Sequence, residues 1–286
     1  RHVHDRLHRQ RDHAAGRRPY RHAARLRAKA RRRGPAMRVF VFGGTTEGRE
    51  VACRLADAGH DVTLSVATPL GAEELAVRSA GEHGIEVSVG KIEHADMVRT
   101  LAACDACVDA THPYALHITE HVREACEEAG CPLWRLLRGE AAEQNGCVYV
   151  DGIESAARFL AGKEGNVLLT TGAKELMPFA ALGVERVFAR VLPLASSLAA
   201  CEEAGIPHRN IIAMQGPFSA ELNEALMRQF DIAWLVTKDG GVAGGFLEKI
   251  AAARVVGAGC VVIERPNERG ADLETVLREI EELDHA

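Results

Sequence analysis

Short apolar runs alternate with apolar residues at helical spacing along most of this chain. The pattern predicts strands over 38–42, 61–67, 85–89, 106–109 and 132–137, and helices over 49–58, 95–103 and 115–129. Val51, Ala52, Leu55 and Ala56 show the helical period, and Gly59 and Gly130 stand where helix C-caps belong. Between Arg138 and Tyr149 the period gives way to polar residues, broken by Gly139 and Asn145-Gly146. It then resumes, with strands over 167–170, 186–191, 210–214, 232–237 and 260–264. Helices follow over 175–182, 196–204, 219–230, 245–256 and 273–283. Apolar strands alternating with helices call for parallel sheets covered on both faces. The reading is therefore two small doubly wound α/β domains, 37–140 and 141–286, with a ligand cleft between them.

The first 36 residues break this pattern. They hold twelve Arg, one Lys and only two Asp, with no Ile, Phe, Trp, Met or Cys. Their charge of +11, set against −5 for the whole chain, leaves −16 on residues 37–286. Such a segment buries too little apolar surface to offset the entropy of ordering it. A nucleic-acid-binding arm and a mitochondrial presequence both fit the composition. The favoured expectation is that Met37, which directly precedes the first strand, is the true start and that residues 1–36 are an extension outside the fold. No run approaches the roughly 20 apolar residues of a membrane span. The eight cysteines are scattered, and Cys104-Asp-Ala-Cys107 has no second pair at zinc-ligand spacing. Reduced thiols, no metal site and a cytoplasmic location are expected.

Candidate chemistry gathers where strands end. Val108–Ala115 runs Val-Asp-Ala-Thr-His-Pro-Tyr-Ala, so Asp109, Thr111, His112 and Tyr114 follow a buried strand, with Pro113 stiffening the loop. The first strand is followed by Gly43-Gly44-Thr45-Thr46-Glu47-Gly48. Glycines there let backbone approach a phosphate at a helix N-terminus, although Thr45 occupies the second glycine's place in the dinucleotide fingerprint. Thr170-Thr171-Gly172-Ala173-Lys174, Met214-Gln215-Gly216-Pro217-Phe218-Ser219 and Thr237-Lys238-Asp239-Gly240-Gly241 are further loops of this kind. Four such loops suit a large phosphorylated or carboxylated ligand. An acidic body must then supply local cations, for which Arg49, Arg135, Arg138, Lys174, Arg190 and Lys238 are placed.

Four of these motifs together, Gly43–Arg49, Asp109–Ala115, Met214–Phe218 and Thr237–Asp239, resemble the precorrin-6A and cobalt-precorrin-6A reductase family of cobalamin biosynthesis. The resemblance runs in order through residues 37–286. It implies two Rossmann-like domains and an NADPH-dependent oxidoreductase. That enzyme reduces one carbon–carbon double bond of (cobalt-)precorrin-6A, a tetrapyrrole, to (cobalt-)precorrin-6B. Close motif spacing leans toward the cobalt-bearing substrate. On this reading His112, Tyr114 and Asp239 are the catalytic candidates. Gly43, Gly44, Thr45, Thr46, Glu47, Thr171, Gly172, Lys174 and Gly216 are the cofactor-binding candidates, and Arg49, Thr111, Arg138 and Lys238 would hold substrate. The partner is the small-molecule macrocycle, without nucleic acid or membrane and with room for transient contact with neighbouring corrin-pathway enzymes. Ala173, Gly240 and Gly139 depart from the family's usual Ser, Ser and Pro, which weakens the Lys174 and Lys238 loop assignments. Two alternatives stay open: an unrelated nucleotide-dependent enzyme such as a nucleotide-sugar transferase, and a basic-armed nucleic-acid binder.

Overall fold

A computed structural model of the chain describes residues 36–67, 84–137, 139, 144–240 and 245–283. The basic extension (1–35), Arg138, Gly241 and Gly244 lie outside the described residues.

The first sheet comes from β1 (Arg38–Phe42), β2 (Asp61–Val66), β3 (Glu86–Val89), β4 (Ala106–Asp109) and β5 (Leu133–Arg135). Its order is β3-β2-β1-β4-β5, with every pairing parallel. Helices α1 (Thr46–Ala58), α2 (His94–Leu101) and α3 (Leu116–Ala129) make the crossovers. The apolar run of β1 is explained by its two faces. Val39 and Val41 enter one core with Val51 and Leu55, while Phe40 and Phe42 enter another with Met97, Leu101 and Val122. A strand buried on both sides has no polar face to alternate with.

The second sheet has six strands: β6 (Cys147–Val150), β7 (Asn166–Leu169), β8 (Val187–Val191), β9 (Ile211–Ala213), β10 (Ile232–Lys238) and β11 (Gly259–Ile263). Its order is β6-β11-β10-β7-β8-β9, again all parallel. Helices α4 (Ile153–Ala161), α5 (Ala195–Glu203), α6 (Ala220–Gln229) and α7 (Phe246–Val256) cover it. With β7 in the role of β1, strands β7 to β11 repeat the order of the first sheet, and β6 is added at the edge. Each sheet therefore reverses direction once, between β1 and β4 and between β7 and β10. The crevice at such a reversal is where open α/β sheets take ligands.

Three expectations need correction. The helix expected over 175–182 is a pair of short 3₁₀ turns, Ala173–Glu175 and Met177–Leu182. Pro178 has no N–H to give an α-helical bond there. The region around Tyr149, taken as irregular, contains β6, and α4 carries Ile153, Ala156, Ala157 and Leu160 on its buried face. The last helix, α8 (Leu273–Leu283), was expected in the second domain. Its Val276, Leu277 and Ile280 instead join the core of the first sheet, and Arg54 forks onto Glu274 at 3.0 and 3.2 Å. The chain returns alongside β5, where Ala271 N–H donates to Arg135 O and Leu137 N–H to Ala271 O. It thus crosses between the sheets twice. No described helix is long and apolar enough to cross a membrane, and all eight cysteines are free thiols.

Candidate active site

The loops singled out in the sequence fall at the C-terminal edges of the two sheets, four of them at the reversals. After β1, Thr45 caps α1: its Oγ1 accepts from Gly48 N at 3.0 Å and donates to Ala110 O at 2.9 Å. Thr45 therefore turns its side chain inward and binds the β1 loop to the β4 loop. This explains how a threonine sits in a glycine's place, since the face toward a ligand is main chain. Close packing limits the turn elsewhere. A Cβ on Gly48 would lie 3.1 Å from Gly43 Cα and 3.2 Å from Ala110 Cβ, and one on Gly43 would lie 2.4 Å from Leu64 Cδ1. Gly44 and Thr46 are exposed, Glu47 lies in the first turn of α1, and Arg49 donates to Thr46 Oγ1 at 3.1 Å. The N-terminus of this thirteen-residue helix offers main-chain N–H groups and a positive dipole end.

After β4, Asp109 is 1% exposed and accepts from Thr111 N at 3.0 Å, while Arg135 Nη1 lies 3.2 Å from its Oδ1. Arg135 was expected to face a ligand. It is instead half-buried and occupied, donating to Thr111 O at 2.9 Å and pairing with Glu268 at 2.7 Å. Thr111 Oγ1 lies 3.1 Å from Thr119 Oγ1, so this candidate substrate-binding hydroxyl serves the loop's own geometry. Beside it is a cavity of about 490 Å³ lined by Asp109, Trp134, Arg135 and Glu268.

His112 and Tyr114 diverge. His112 is exposed, and its Nδ1 accepts from Tyr114 N at 3.3 Å, which in the neutral ring leaves the proton on Nε2. Tyr114 is half-buried and reaches the second sheet. Its hydroxyl donates to Ile263 O at 2.6 Å, and its ring lies 4.8 Å from Lys238 Nζ. Burial, with the nearby Asp239 carboxylate adding to it, raises the phenol well above its usual pKa. The hydroxyl is a fixed donor and a poor acid.

On the second sheet, Lys238 pairs with Glu175 at 2.5 Å and Asp239 faces Arg265 at 3.4 Å. Arg265 also donates to Asp239 O at 2.8 Å and to Gly139 O at 3.2 Å. After β7, Thr171 Oγ1 is buried without a hydrogen-bond partner among the described residues, Gly172 adopts φ +94°, and Lys174 is exposed. The structure thus brings His112, Tyr114, Lys238 and Asp239 together, with Gly43–Thr46 joined to the same β4 loop through Thr45. Gly216 stands apart, on the loop after β9. Sequence reasoning missed Ile263 and Arg265. The first acts through its main chain and leaves no sequence signal, and the second reads as an ordinary surface arginine.

The same edge carries exposed apolar side chains. Leu116, Met177, Leu192, Met214, Leu222 and Leu247 are all substantially exposed, and each follows a strand end or starts the next helix.

The family model described as "Precorrin-6x reductase CbiJ/CobK" matches residues 38–281. The cobalt-precorrin-6A reductase of Priestia megaterium is 33% identical over 255 residues, covering 87% of this chain and 97% of that protein. The cobalt-precorrin-6A reductase of Salmonella typhimurium is 37% identical over 238 residues, covering 80% of this chain and 87% of its own length. Among solved structures, "CobK precorrin-6A reductase" superposes with a TM-score of 0.66 at 25% identity, covering 86% of this chain and 97% of that one.

Proposed function

Because this chain belongs to the precorrin-6x reductase family, we propose that it uses NADPH to reduce one carbon–carbon double bond of a precorrin-6A macrocycle, with or without cobalt. The observation that carries the reading is the Tyr114–Ile263 hydrogen bond, which holds the β4 reversal loop of one sheet against β11 of the other. A cofactor at one reversal and a macrocycle at the adjoining edge then share one site.

The residues fit a dinucleotide. Gly43 and Gly48 keep α1 tight against β1, and Thr45 turns inward, so the backbone at the α1 N-terminus is open to a pyrophosphate. β2 ends in Ser65-Val66, with Ala67 directly after it. A carboxylate there would hold a free ribose 2′-hydroxyl and repel a 2′-phosphate, so small neutral residues favour NADPH. When bound, the nicotinamide supplies a hydride, two electrons with one hydrogen, to one carbon of the double bond. The neighbouring carbon would take a proton, which this chain's own residues have to deliver.

Within the β4 loop the proton falls to His112, whose exposed imidazole is the loop's acid–base side chain. Tyr114 positions the loop, and Asp239 holds Arg265 and thereby the Lys238 turn. The macrocycle's flat apolar body suits the exposed Met177, Leu192 and Met214, and its acidic arms need the cations at the same edge.

Anaerobic NADPH oxidation with cobalt-precorrin-6A and with metal-free precorrin-6A, each repeated with NADH, tests the proposal. Turnover with one macrocycle and a marked preference for NADPH is expected. Folded protein that oxidises neither cofactor with either macrocycle would overturn it.

A further inference from the structure

Apart from the exposed Met214, the Met214–Phe218 motif and the helix start after it have no part in the site described above, yet they pack around Arg190, with Lys249 on the neighbouring helix. Arg190, near the end of β8, is only 7% exposed. Its guanidinium lies 4.4 Å from the Phe218 ring centroid, and its Nη1 donates to Asn223 Oδ1 at 2.7 Å. Asn223 is itself fixed: its Nδ2 donates to Ser219 O at 2.7 Å and Phe218 O at 3.3 Å, so the amide oxygen has to face the arginine. A Cβ on Gly216 would lie 3.0 Å from the Phe218 ring, which shows how tightly the ring folds back.

The start of α7 abuts this loop. A Cβ on Gly245 would lie 3.9 Å from Pro217 Cβ and 3.8 Å from Glu248 Oε2. The next residue, Lys249, is close enough to Arg190 to feel its charge. Burial first, and Arg190 second, bring the ammonium down to about 8. Burial alone brings Arg190 down to about 10. Among the described residues, neither cation has a carboxylate oxygen within 4.0 Å. Glu248 is the nearby counter-charge, yet its Oε2 is buried without a hydrogen-bond partner among the described residues. A guanidinium almost out of water beside a half-buried ammonium is unfavourable unless an anion completes the pair.

We propose that Arg190 and Lys249, with Asn223 orienting the arginine, form a subsite for one carboxylate of the substrate's acidic side arms. The inference rests on the macrocyclic substrate proposed above. Two features favour a carboxylate arm over a cofactor phosphate. The cluster lies on the β8–β9 side of the second sheet, off the β7/β10 reversal and on a different sheet from the Gly-rich α1 N-terminus. It is also flanked by exposed apolar residues: Leu192 and Met214, joined through the Met214 N–H to Val191 O at 3.0 Å, and Leu247 two residues before Lys249. An apolar platform with a cationic corner matches a macrocycle with a carboxylate arm.

Lys249→Gln and Lys249→Arg test this, with circular dichroism confirming the fold of each. Macrocycle affinity is read by absorbance titration without cofactor, and NADPH affinity by nicotinamide fluorescence without macrocycle. Lys249→Gln is expected to raise the macrocycle Kd about tenfold, equivalent to about 1.4 kcal/mol, and to leave the NADPH Kd unchanged. Lys249→Arg should restore most of the loss. An unchanged macrocycle Kd in Lys249→Gln would overturn the subsite. A weakened NADPH Kd with unchanged macrocycle binding would overturn it in favour of a phosphate site. Failure of the wild-type protein to bind macrocycle would instead count against the proposed function.

Discussion

Replacing Tyr114 with Phe removes one oxygen from the joint between the two sheets and leaves the ring in place. The lost bond is the 2.6 Å donation to Ile263 O. That carbonyl keeps a second donor, the Asp239 N–H at 3.2 Å, so it is not orphaned. The net cost is therefore that of one ordinary hydrogen bond, about 1 kcal/mol. For a protein of this size that lowers Tm by about 2–4 °C. The ring contacts with Lys238 at 4.8 Å and His112 at 5.6 Å survive the change. If Tyr114 only positions the loop, kcat at saturating NADPH falls by less than about tenfold, whereas loss of a general acid costs about 10²–10⁴-fold. Differential scanning calorimetry and steady-state NADPH oxidation read the two effects side by side. A loss of a hundredfold or more in kcat with an unchanged Tm would refute the positioning role and make the phenol the proton donor.

Further outcomes follow from the same geometry. His112→Ala should lower kcat by about 10²–10⁴-fold with little change in the NADPH Kd, as expected if this ring exchanges the proton, and steady-state kinetics beside fluorescence titration separates the two. Gly48→Ala forces a methyl to 3.1 Å from Gly43 Cα; it should cost about 1–3 kcal/mol in denaturant unfolding and weaken NADPH binding together with stability. Thr45→Ala loses both the helix cap and the tie to Ala110 and should cost about 1–2 kcal/mol in the same assay. Lys249 gives a pH signature. Its folded pKa, about 8, lies below the ordinary 10.5, so the charge opposes folding in full below pH 8, and this penalty disappears as pH rises from about 8 to 10.5. Lys249→Met should therefore be more stable than wild type by about 2–3 kcal/mol at pH 7, with the gap closing by pH 10.5, and urea unfolding across that range measures it.

Much of this molecule was legible in its sequence because both sheets are buried on both faces. β1, β4 and β10 read as apolar runs, and the polar or Gly-rich segments after them showed where those strands end. What escaped notice were features with little local signal. β6 is a four-residue edge strand behind Asn145-Gly146, where turn residues dominate the pattern. The helix over 273–283 was found, but its partner sheet was not, since Val276 and Ile280 are equally apolar against either core. Arg135 looked like a ligand-facing cation at a strand end; only the fold reveals that Asp109 and Glu268 already occupy it. Lys249 drew no notice in the sequence, since its position near Arg190 depends on how α6 and α7 pack. Thr45 is the reverse case. It seemed to weaken the cofactor motif, yet its inward hydroxyl completes the turn.

The central claim is hydride transfer from the reduced nicotinamide to a precorrin-6A macrocycle. The most direct test uses NADPH carrying deuterium at the transferred position, incubated anaerobically with enzyme and macrocycle, followed by mass spectrometry of the product. The account predicts one deuterium per reduced macrocycle, with one cofactor oxidised for each product formed. Product without deuterium, or NADPH left intact by folded protein with both cobalt and metal-free macrocycles, would contradict it.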